Sequence, residues 1–109
     1  MNINEKIDEL DIKIADHEQK VSELNKEFAV LMKLTVAEIE KSQKREKIRE
    51  NTENEKILQE IDEEEMQGNV ILGLVADKMS EITQKAQELQ KECETIRKEQ
   101  AMLISKQKT

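Results

Sequence analysis

A chain of 109 residues with 36% hydrophobic residues, 39% charged residues and a single aromatic, Phe28, lacks the side chains from which ordinary globular cores and small-molecule pockets are built. Its formal net charge of −7 disfavours nucleic-acid phosphate or an anionic membrane surface as the main partner. The absence of Pro and the presence of only two Gly set it apart from most disordered chains, and the abundant Glu, Lys, Gln, Leu and Ile favour long helices.

The chain opens with Asn2 and Glu5, spaced to cap a first helix from about residue 3 to 50. Along it Ile3, Ile7, Leu10, Ile14, Val21, Leu24, Phe28 and Leu31 alternate in steps of three and four, with His17 the one polar interruption. That spacing is a heptad seam. From about Glu38 to Glu65 the apolar residues thin to Ile39, Ile48, Ile57, Leu58 and Ile61, and the strict spacing is lost on an apolar count.

A turn is expected over residues 51–54, where Asn51 can end one helix in the left-handed conformation and Thr52 with Glu55 has capping-box spacing. Gln67-Gly68-Asn69 is the rival turn, although it would leave much of the first helix unpaired. A second helix is expected over about 55–107, and its seam resumes at Leu72, Val75, Met79, Ile82, Ala86, Leu89, Cys93, Ile96 and Leu103, with Gln100 polar.

These elements predict an all-α fold, a single coiled-coil domain over 1–109 in which a long antiparallel helical hairpin assembles into a helix bundle. A reversal at the middle of the chain makes partner numbers add to about 105. It pairs Ile48 with Ile57 and Ile3 with Leu103, sets Cys93 near Ile12, and faces His17 with Glu88 and Leu89. It also brings Lys41, Lys44 and Arg45 beside the acidic run Glu60 to Glu65, whereas parallel self-pairing would stack like charges.

Signatures of catalysis and cofactor binding are missing. One His and one Cys cannot build a zinc site in one chain, no Glu-x-x-His stands for a di-iron centre, and Gln67 occupies the position where a calcium loop starting at Asp62 would need Gly. There is no phosphate-binding Gly-rich loop, and the basic run 41–49 lacks the aromatics of a nucleic-acid platform. His17 and Cys93 read as tolerated seam residues. The chain is therefore expected to be no enzyme and to use no cofactor or metal. With no apolar run of roughly 20 residues, no signal-peptide core and a lone cysteine, it is expected to have no membrane span and to be cytoplasmic.

What exceeds a two-helix seam is a belt in the middle of each helix. Phe28, Leu31, Leu34 and Val36 on the first, with Val70, Ile71, Leu74 and Val75 on the second, offer more apolar faces than one antiparallel partner covers. These eight residues are the expected protein interface. The sequence thus points to a non-enzymatic interaction protein, a structural or adaptor subunit that is homo-oligomeric or part of a coiled-coil complex. A small acidic helical chaperone shielding a client helix is the alternative.

Overall fold

The computed structural model describes residues 2–108 and contains two helices, α1 (Ile3–Asn51) and α2 (Glu55–Gln107), joined by Thr52–Asn54 into a helical hairpin. The rival turn does not form, since Gly68 lies inside α2. Packing divides the chain into two compact units, one made of residues up to Glu27 with Ile82 onward, the other of Phe28–Glu81.

Helix ends follow local chemistry. The Asn2 side-chain oxygen accepts the Glu5 amide at 2.8 Å, which satisfies one of the orphan donors of the first turn. At the reversal the expected capping box is replaced. Asn54, not Thr52, caps α2: its Oδ1 accepts from the amides of Lys56 at 3.0 Å and Ile57 at 3.3 Å, while the Thr52 hydroxyl accepts only the Asn54 amide at 3.3 Å. Nor does Asn51 turn left-handed. No described residue has positive φ, and Asn51 remains helical with its side-chain amide donating to the Lys47 carbonyl at 2.8 Å.

In the first unit the predicted seam is inside. Leu10, Ile82 and Cys93 are buried, and Ile7, Ile14, Val21, Leu24, Ala86, Leu89, Ile96 and Leu103 are half-buried between them. The polar interruptions occupy seam positions and find partners across it. His17 Nε2 lies 2.7 Å from Glu92, and Gln100 donates to the Ile7 carbonyl at 3.3 Å. Ile3, at 37% exposure, falls outside the seam.

In the second unit the seam never loses its register; it changes chemistry. Steps of three and four continue through Thr35, Glu38, Ser42, Arg45 and Arg49 on α1 and through Leu58, Ile61, Glu65, Gly68, Leu72 and Val75 on α2, all of them buried or half-buried. Ile39, Ile48 and Ile57, which an apolar count selects, are exposed.

Register also differs from the expected value. Ser42 with Glu65 and Gln100 with Ile7 give sums of 107, and the longer-reaching Arg45 with Glu65 and Arg49 with Asp62 give 110 and 111, rather than about 105. Helical side chains lean toward their own N-terminus, so two antiparallel residues that touch each sit about one position C-terminal to the point of contact. The sum therefore rises above twice the turn midpoint by about two, and the length of the arginine side chains adds to it at Arg45 and Arg49. Of the expected pairings, Ile48 with Ile57 does not form a seam contact, since both are exposed, and Cys93 with Ile12 and His17 with Glu88 and Leu89 are replaced. Ile12 is 63% exposed while Cys93 is buried, and His17 meets Glu92.

Candidate functional site

The second unit holds both unusual features of the molecule, a polar cluster inside the seam and an apolar belt outside it. Inside, Arg45 bridges two carboxylates: Nη2 donates to Glu38 Oε1 at 2.9 Å and Nε to Glu65 Oε2 at 2.7 Å, and the Ser42 hydroxyl donates to the other Glu65 oxygen at 2.7 Å. Glu38 and Arg45 are buried, and no buried side-chain polar atom among the described residues lacks a partner. Gly68 makes the room. A Cβ at that position would land on Glu38 Oε1 and lie 2.9 Å from Arg45 Nη2.

Hydrogen bonds set the protonation of this cluster. The Ser42 hydroxyl first, then the Arg45 guanidinium, hold the Glu65 carboxyl below the ordinary glutamate range against partial desolvation, and Glu65 and Glu38 in turn raise the Arg45 pKa. Asp62, at 2.7 Å from Arg49 Nη2, raises the Arg49 pKa in the same way. A slip of one heptad would bring Leu58 or Leu72 opposite Arg45 and Ile61 or Val75 into the place of Gly68, leaving no room for Glu38. The cluster thus penalises slipped pairings through unpaired buried charge.

Outside the seam lie the belt residues, and the structure sorts the eight expected at an interface into two groups. Phe28 and Leu31 are half-buried and Val75 is buried, all three in the seam. Leu34 (50% exposed), Val36, Val70, Ile71 and Leu74 (66% exposed) point away from it. Val30, Met32, Ile39 and Met66 are exposed at the same levels and belong with them.

Heptad geometry assigns these side chains to faces. Met32, Val36 and Ile39 follow one flank of α1, where Ile39 and Gln43 line a groove with Asn69 of α2. Val30 and Leu34 follow the opposite flank, and Ile71 and Leu74 occupy the corresponding flank of α2. Val70 stands directly away from the seam. Each flank of the second unit thus carries its own group of exposed apolar side chains, with Val70 between them on the outer face.

Counting only apolar residues as seam hides the polar cluster. Continuing the three-and-four count past Leu31 without regard to residue type would have found Glu38, Arg45 and Glu65. Among the described residues no group of three or more His, Cys, Asp or Glu could hold a metal ion, and no helix is long and apolar enough to cross a membrane. Comparison with known proteins finds no matching family model, no matching curated protein and no matching solved structure.

Proposed function

We propose that this chain is a non-enzymatic coiled-coil interaction protein, a structural or adaptor subunit that joins a larger assembly through the belt of its second unit. The observation that carries this reading is the exposure of Leu34, Val36, Val70, Ile71 and Leu74 outside the seam between the two helices. Burying one such side chain contributes roughly 1.5 to 3 kcal/mol, so packing several of them against further helices is a strong drive to associate. The polar cluster suits the same role, because a hairpin of fixed register presents the belt in one arrangement. We place the protein in the cytoplasm, where Cys93 stays a thiol.

The test compares Leu34→Glu with Glu94→Lys, a charge change on an exposed position of the first unit. Light scattering of the pure chain and capture of proteins from the cells that make it are measured beside circular dichroism. The proposal expects Leu34→Glu to abolish association while helix content persists, and Glu94→Lys to leave both intact. Equal behaviour of the two variants contradicts it. A chain that is partly melted alone and sharpens only on adding one captured protein would instead support the chaperone reading.

A further inference from the structure

The belt has two flanks, and the charges beside them differ. On the flank of Leu34, going toward the turn, α1 carries Lys41 and Lys44 and α2 carries Glu60 and Glu64, all exposed. Among the described residues none of the four makes an ion pair. On the flank of Ile39 the corresponding positions are acidic on both helices, with Glu46 and Glu50 on α1 and Asp62 on α2, and the nearby Arg49 is already engaged by Glu46 and Asp62.

We infer that the Leu34 flank binds a second copy of this chain, related by a two-fold axis parallel to the helices, to make an antiparallel four-helix bundle. This rests on the interaction reading above and names its partner. Rotation about such an axis keeps both turns at one end and sets α1 of each copy against α2 of the other. Leu34 then packs on the partner's Leu74 and Ile71. Lys44 of each copy then lies at the level of the partner's Glu64, with Lys41 and Glu60 on either side of that pair, so the unpaired charges are matched twice over by symmetry. Every helix has antiparallel neighbours, which also aligns the helix dipoles favourably. Two copies joined at the Ile39 flank would instead bring acidic residues together, and copies with turns at opposite ends would leave Lys41 and Lys44 away from Glu60 and Glu64.

The experiment uses the full chain and two charge variants, Lys41→Glu/Lys44→Glu and Glu60→Lys/Glu64→Lys. Sedimentation equilibrium of the unaltered chain should give twice the 12.7 kDa chain mass. Each variant alone confronts like charges across both contacts, and its dimer dissociation constant should rise by about tenfold or more. Mixed one to one, the two variants should recover a dimer containing one of each. An effect confined to one hairpin would not be relieved by mixing.

Should either variant lose its circular dichroism, zero-length carbodiimide cross-linking of mixed isotopically light and heavy unaltered chains replaces it, with Lys44 to Glu64 links expected between copies. A helical monomer at all concentrations overturns the inference but leaves the belt available to another protein. Dimers that persist in both variants, a mixture that stays monomeric, or cross-links that never join two copies also overturn it. Loss of the interaction reading itself would appear differently, as a Leu34→Glu chain that associates like the unaltered one.

Discussion

Gly68 of α2 sits where a side chain would collide with the Glu38 carboxylate of α1, so the one buried glycine and the one buried glutamate among the described residues occupy complementary places in the seam. Glu38 cannot step aside without leaving Arg45, 2.9 Å from its Oε1. At Gly73, by contrast, on the exposed side of the same helix, an added Cβ would meet nothing within 4 Å.

Those two glycines should therefore respond in opposite directions to alanine. In an exposed helix interior Ala is favoured over Gly by up to about 1 kcal/mol, and Gly73→Ala should raise the melting temperature. Gly68→Ala should lower it in spite of the same helix preference. Thermal melts followed by circular dichroism decide the matter, and a stabilising Gly68→Ala would mean that the cluster does not close around Glu38.

The Ser42 hydroxyl should be visible in the titration of Glu65. Because the folded carboxyl lies below the ordinary glutamate range, its contribution to stability is complete above the unfolded value and is lost as pH falls through the folded one. Ser42→Ala removes the largest cause and should move the Glu65 titration upward, with Arg45 still holding part of the shift. Carboxyl carbon chemical shifts against pH measure this directly. An unchanged titration would show that the hydroxyl does not reach Glu65 in solution.

At the reversal, Asn54→Ala should cost about 1 kcal/mol, because two amides of the first α2 turn lose their acceptor. Thr52→Ala, which removes one acceptor for a loop amide, should cost less. Denaturant melts of the two variants side by side give the order, and the reverse order would restore Thr52 as the cap.

Seam burial grades the remaining costs. Leu10→Ala and Ile82→Ala remove side chains that are 3% exposed and should each cost about 2 to 5 kcal/mol. Leu24→Ala and Leu89→Ala, at half-buried positions, should fall at or below the lower end of that range. Equal losses at all four positions would indicate that other helices cover Leu24 and Leu89 in the assembly.

How far the sequence could be read depended on which chemistry carried the signal. Apolar spacing located both helices and the seams at the open end, and the Asn-rich stretch located the reversal, because hydrophobic period and turn residues report local structure directly. The register did not follow, since it depends on the lean of side chains and on contacts such as Arg45 with Glu65 that no local pattern records. Belt residues were legible as an excess of apolar side chains, and the three-and-four spacing already set Phe28, Leu31 and Val75 in the seams; which flank Leu34, Val36, Ile71 and Leu74 take was not legible, because it depends on the seam continuing through polar positions such as Thr35 and Glu38.

Central to the proposed function is that protein covers the belt when the molecule is at work. In a Cys93→Ser background, Leu74→Cys and Glu94→Cys give single thiols at two positions exposed in the hairpin, one in the belt and one outside it. Thiol-labelling rates are measured on the assembly isolated from cells and again after dilution or mild dissociation. A covered belt predicts slow labelling at position 74 in the assembly, fast labelling there after dissociation, and fast labelling at position 94 throughout. Equal, rapid labelling at both positions in the intact assembly would contradict it.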